Sequence, residues 1–335
     1  MANATVYKKK KTSLFKSDGW KRFRKNKLAV IGLCVILFMV LAAIFAPVLV
    51  QNDPYMILET PEGKVMKDMS PSASGTILGT DNVGRDELSR LIYGARVSMS
   101  VGIVSVGISL VVGVLLGAVS GYFGGWLDSV IMRIVDVVNC FPVLFLIIII
   151  STILKPSIYN IMVIMGLCNW TATARLVRGE ILRVREMEYV QAAVSLGATD
   201  SRIIFSHVIP NVMAPIIVEG TMQMARAILT EASLSYLGVG VQLPTASWGN
   251  MLMSANNLAT LTGRPWQWVP AGACILLAVL SINFIGDGLR DAFDAKQKKV
   301  RRKSYEPRRN LSQPPGRGPE IPDGQGPGRC ALYLL

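Results

Sequence analysis

Apolar positions in this chain gather into long runs. Leu28 to Val50 holds 23 residues without a charge, Val97 to Ser120 holds 24, and Pro265 to Gly286 holds 22. At about 1.5 Å per residue, each can cross a hydrocarbon core of about 30 Å as a helix. Three further runs are shorter or interrupted. They cover 134–154, 158–174 and 209–234. The first has Asp136 near one end and Pro142 inside. Pro142 lacks an N–H and its ring crowds the preceding turn, so a kink or break is expected there. Lys155-Pro156-Ser157 reads as a turn. The pattern predicts an all-α polytopic membrane protein with six transmembrane helices.

Composition agrees. The 335 residues are 51% hydrophobic and 17% charged, with a mean hydropathy of +0.42. A soluble domain rarely reaches that balance. The net charge of +13 would suggest nucleic acid in a soluble protein. Here the basic residues flank apolar runs, so topology explains them and no nucleic-acid partner is expected. Ten Lys/Arg lie between Lys8 and Lys27, and nine between Arg290 and Arg309. Six spans put both ends on one side, and the positive charge makes that side cytoplasmic. The 23-residue first run exceeds the h-region of a signal peptide, so an uncleaved anchor is expected.

The chain then divides as follows. Residues 1–27 are a basic cytoplasmic N-terminus and 28–50 the first span. Residues 51–96 lie outside, with seven acids and three bases between Asp53 and Glu87. Residues 97–290 hold five further helices, with a short inner loop at 121–133 and a long one at about 175–208. Residues 291–335 are a cytoplasmic tail. From about Ser304 it is rich in Pro and Gly with no apolar period, so it reads as disordered and we place no function there.

Little catalytic chemistry is present. His207 is the only histidine, which argues against a Ser-His-Asp triad or a multi-His metal site. The five cysteines have no metal-ligand spacing and read as small buried hydrophobes. No G-x-x-x-x-G-K-[ST] occurs in the sequence, so the chain has no P-loop. No metal or cofactor is expected in this chain.

Two polar features interrupt the apolar pattern. "EYVQAAVSLGATDSRIIFSHVIPN" (188–211) places Val190, Ala193 and Val194 on one side of a helix, with Glu188, Gln191 and Ser195 on another. Gly197 fits the position after a helix end, where positive φ is needed. Thr199 or Asp200 can cap a second helix, with Ile203, Ile204 and Val208 as its apolar side. Pro210 suits a new helix start. Such a projection could lie on lipid headgroups or dock on a partner. The second feature is Glu219, Gln223, Arg226 and Thr230, spaced as one stripe along the fifth span. Charge in a membrane helix is costly unless it faces protein or water. The stripe is either a pore lining or a structural ion pair of Arg226 with Glu219 or Glu231. Outside, 81–96 reads as an amphipathic elbow before the second span, with an outer gate or docking surface as the alternative. Trp248, Trp266 and Trp268 read as interface anchors.

The first feature resembles the EAA motif of binding-protein-dependent ABC importer permeases, with Glu188, Ala192, Ala193 and Gly197 at matching positions and Ile203 and Pro210 following. "LGTDNVGRDELSRLIYGARVSMSVG" (78–102), "EASLSYLGVGVQLPTASWGNML" (231–252) and "NFIGDGLRDAFD" (283–294) resemble further signatures of the dipeptide/oligopeptide/nickel permeases. The likeness covers about 20–295 and is nearest to the C-type subunit. Arg226 departs from it, standing where that family usually has a small residue.

The resemblance implies an ABC type I importer permease fold with cytoplasmic coupling helices, in the cytoplasmic (inner) membrane. It implies a heterodimer with a second permease, two ATPase subunits that bind ATP and Mg, and an extracytoplasmic substrate-binding protein. It places Glu188, Ala192, Ala193, Gly197, Asp200 and Ile203 at the ATPase-coupling site. Glu219, Gln223, Arg226 and Thr230 become candidates for the substrate pathway. Dipeptides or oligopeptides are the expected cargo. A nickel or other small-solute permease is the alternative, and an ATP-independent channel or carrier a more distant one.

Overall fold

The computed structural model describes residues 18–154 and 157–304. The turn at Lys155-Pro156 and the Pro/Gly-rich tail expected to be disordered fall outside the described residues. Helices dominate, and no strand is present among the described residues. Only two isolated bridges occur, Glu59 to Val65 and Thr80 to Asp86. The described residues up to 296 form one compact unit. Residues 297–304, the described start of the second, continue the last helix.

We number the main helices α1 (Lys27–Ile44), α2 (Glu87–Phe123), α3 (Gly125–Asn139), α4 (Val143–Ile153) and α5 (Ile158–Arg185). Then come α6 (Glu188–Ser195), α7 (Ile209–Tyr236), α8 (Trp248–Leu252) and α9 (Val269–Ser304). Four stretches are long and apolar enough to cross a membrane: Lys27–Ile44, Glu87–Phe123, Asp200–Tyr236 and Val269–Phe293. The pair α3 and α4 makes a fifth if its 83° bend counts as one broken span. The bend falls at Cys140-Phe141-Pro142, where Pro142 starts α4 and removes the donor that would have continued α3. The shorter run 158–174 is the first part of α5, whose remaining turns carry Arg178, Glu180, Arg183 and Arg185 beyond it.

Several boundaries differ from the sequence reading. Of the segment 81–96, expected as an elbow ahead of the second span, residues 87–96 form the first turns of α2. This helix has 37 residues, about 55 Å at the usual rise. The polar residues around its start also face inward. Asp81, Arg85, Glu87 and Arg90 are all buried. Asp81 Oδ1 accepts backbone N–H bonds from Val83, Gly84 and Arg85 at 2.8–2.9 Å, and its Oδ2 accepts from Arg85 Nε at 2.7 Å. Arg90 Nε lies 3.7 Å from the same oxygen. Mutual neutralisation lets these charges leave water. Trp248, expected at the membrane interface, is a core residue at 1% exposure, and its Nε1 donates to Leu91 O at 3.1 Å.

Pro210 does not begin a separate helix. Residues 203–208 form a π-helical turn in which Ile209 N–H bonds Ile204 O, five residues back. The wider turn accommodates a residue with no N–H, so the helical path runs unbroken from Asp200 to Tyr236. The inner loop expected at 121–133 is mostly α3, entered through Gly124 and Gly125 at φ +67° and +58°.

The tightest helix pair is α2 with α5. Gly113, Gly117 and Gly121 recur every four residues on α2. A Cβ on them would come within 2.5–2.9 Å of Thr173 or the Ala174 and Arg178 carbonyls of α5. Small residues in this pattern let two membrane helices meet backbone to backbone. Because α5 leads into α6, this contact fixes where the projecting segment starts.

Candidate coupling segment and polar stripe

The segment after α5 is held from beneath and bare on top. Helix α6 ends in a Schellman motif: Gly197 N–H bonds Val194 O at 2.9 Å and Ala198 N–H bonds Ala193 O at 3.1 Å. Gly197 sits at φ +75° with open space around its α-carbon. Gly197→Ala should therefore cost about 1 kcal/mol through backbone strain alone. Faster amide exchange confined to 188–198 would report it, and Gly197→Asn should lose less.

Val190 and Ile203 point inward and are 1% exposed. They pack with Val177, Ile181, Val184, Val208 and Val212. Ile203 therefore anchors the segment and does not lie on its outer surface. Asp200 is likewise engaged, since Tyr122 Oη at the end of α2 donates to its Oδ1 at 2.7 Å. Arg185 Nη1 donates to Tyr122 O at 2.9 Å. Below, Arg178 grips Asp128 of α3 through Nε and Nη2 at 2.5 and 2.6 Å. The sequence reading missed Tyr122 and Arg185, which are 63 residues apart and share no local motif.

Glu188, Ala192 and Gly197 are exposed and Ala193 is half-buried. Glu188 has no ion-pair partner among the described residues. Leu196 is 87% exposed, with Val194 at 54% and Tyr189 beside Glu188 in sequence also open. Partial burial raises the pKa of the Tyr189 hydroxyl, against an opposing effect of Arg183. It stays a neutral donor at pH 7. The surface thus offers one carboxylate, one phenol and a bare leucine on a rigid base.

The stripe on α7 is a connected polar cluster. Arg226 Nη2 meets Glu219 Oε1 at 2.7 Å. Gln223 Nε2 donates to Glu219 Oε1 at 3.2 Å and to Thr173 Oγ1 of α5 at 2.8 Å. Its Oε1 accepts from Ser109 of α2 at 2.9 Å. Gln223 is buried, whereas the Arg226 side chain is 62% exposed. Thr230 Oγ1 bonds Arg226 O. Gln223, Arg226 and Thr230 line a cavity of about 120 Å³ together with Ser105, Ser109 and Asn169. Of the two readings of the stripe, the ion pair is present between Arg226 and Glu219, and the same stripe borders this cavity. Glu231 stands apart from it, bonded to serines.

Apolar helices of this length, with a charged stripe on one of them, make this an integral membrane protein. Residues 113–299 match the family described as binding-protein-dependent transport system inner membrane component. Residues 13–66 match the N-terminal TM domain of oligopeptide transport permease C. Among relatives, the oligopeptide transport system permease protein OppC of Bacillus subtilis is 40% identical over 298 residues, 89% of this chain and 94% of that protein. The dipeptide transport system permease protein DppC of Alkalihalophilus pseudofirmus is 41% identical over 281 residues, 84% of this chain and 90% of its own. The di/tripeptide transport system permease protein DppC of Pseudomonas aeruginosa is 41% identical over 285 residues, covering 83% and 91%. The chain belongs to the family of binding-protein-dependent transport system inner membrane components.

Proposed function

We propose that this chain is one permease subunit of an ATP-driven importer of dipeptides or oligopeptides in the cytoplasmic membrane, with both termini cytoplasmic. A second permease completes the pathway, two ATPase subunits bind ATP and Mg, and an extracytoplasmic binding protein delivers the peptide. The observation that carries this reading is the projecting segment. Its base is tied to α2 and α5, while Glu188 and Leu196 are left bare. A segment so braced can receive a push at its surface and pass it to the helices. Glu188 offers an acceptor to a basic or amide group of the ATPase, Ala192 and Ala193 permit close approach, and Gly197 sets the turn. The cavity at Gln223, Arg226 and Thr230 is where peptide passes, with Arg226 available to a carboxylate.

Purification of the chain with its partners tests the whole reading. The assembled complex should take up labelled dipeptide only with ATP and binding protein. Arg226→Ala should lower that uptake about tenfold, the worth of one charge-assisted hydrogen bond, with assembly unchanged. Uptake without ATPases would refute the importer reading. Unaltered uptake in Arg226→Ala would remove the stripe from the pathway.

A further inference from the structure

Glu231 is a buried acid that the pathway does not use. It is 0% exposed near the C-terminal end of α7, 31 residues beyond Asp200. That is at most about 46 Å along the same helical path. Both carboxyl oxygens are engaged. Ser98 Oγ of α2 donates to Oε2 at 2.9 Å and Ser235 Oγ to Oε1 at 2.8 Å. Each serine also holds the loop that follows α7. Ser98 Oγ accepts the Trp248 backbone N–H at 3.1 Å, and Ser235 Oγ accepts that of Val241 at 3.0 Å.

This loop folds back into the bundle. Ser247 and Asn250 close a reciprocal capping box at the start of α8. Gly94 of α2 abuts the Trp248 N, and Gly249 abuts Ala232 and Ser235 of α7. Residues 241–251 therefore form a cap fastened to both α2 and α7 through the hydroxyls that Glu231 orients. The same two helical paths are tied at the other end by Tyr122 and Asp200.

We propose that Glu231 is a positioning residue that couples the cap to α7, so that displacement of the coupling segment at one end of the helix moves the cap at the other. A single carboxylate suits this role because it accepts from both sides at once. Replacing it leaves two serines without their acceptor and frees the cap from the helix while the apolar contacts of Trp248 persist. The inference rests on the importer reading, since it assigns the cap's movement to the ATPase stroke.

The test uses the full complex with wild-type chain, Glu231→Gln, Glu231→Leu and Ser98→Ala. Ser98→Ala removes one hydroxyl and guards against misfolding of the glutamate variants. ATP hydrolysis is measured with and without binding protein, alongside peptide uptake. Basal hydrolysis should stay near wild type in Ser98→Ala and Glu231→Gln. Stimulation by binding protein should fall about tenfold for Glu231→Leu and less for Glu231→Gln, which keeps one acceptor. A stimulation ratio unchanged in all three variants overturns the proposal. So does loss of basal and stimulated activity in parallel with loss of assembly, which marks a purely structural acid. A wild-type complex with no ATP-coupled uptake would instead refute the importer reading.

Discussion

Leu196→Asp is expected to abolish ATP-coupled uptake while the chain still folds and inserts. Leu196 is 87% exposed, so its replacement removes almost no internal packing. It precedes Gly197 at the tip of a segment whose base is pinned by Tyr122, Asp200 and Arg185. In the proposed docking on the ATPase, a leucine that leaves water contributes about 1.5–3 kcal/mol. An aspartate there forfeits that and adds an unpaired charge to a closing interface, which costs more. Together these amount to at least a hundredfold weaker contact, on the order of 3 kcal/mol. Uptake of labelled peptide and recovery of ATPase with the purified permease are the measurements. Leu196→Met, which keeps the apolar contact, should retain most of both. If Leu196→Asp transports like wild type, the docking surface lies elsewhere.

The main spans were legible because uncharged runs longer than 20 residues admit few other structures. The turn at Gly197 was legible too, because positive φ leaves a mark in the sequence. What escaped depended on partners distant in the chain. The segment 81–96 read as an amphipathic elbow, and only the geometry shows Asp81, Arg85 and Arg90 buried and neutralising each other within it. Tyr122 and Asp200 are 78 residues apart, and no local pattern joins them. Trp248 looked like an interface anchor because tryptophans near span ends usually are, yet a loop that folds inward buries it. Ile203 lies on the apolar side that periodicity assigned to it. The family resemblance gave it to the coupling site, and within that segment its side chain sits in the core beneath the exposed residues. The stripe on α7 was visible as spacing, but only the geometry shows that Gln223 binds three helices while Arg226 remains open.

Gly117→Val tests the part of the fold on which the proposed coupling depends. A Cβ at Gly117 would lie 2.6 Å from Ala174 O and 2.9 Å from Val177 Cβ. Neither is a flexible side-chain tip, so α2 and α5 would have to separate. Overpacking of this kind costs about 1–3 kcal/mol. Valine carries two methyls beyond the clashing Cβ, which places it at the upper end. Gly107→Val on the same helix is the control, since nothing lies within 4 Å of its Cβ position. Both variants add the same apolar bulk to α2, so insertion and helix propensity cancel between them. Gly107→Val should match wild type in yield and in thermal stability in detergent. Gly117→Val should leave little folded complex. Whatever survives should couple poorly, because moving α5 carries Arg178, Arg185 and the base of α6 away from Asp128 and Tyr122. Equal melting and equal uptake in the two variants would mean that α2 and α5 do not meet at Gly117 in the membrane.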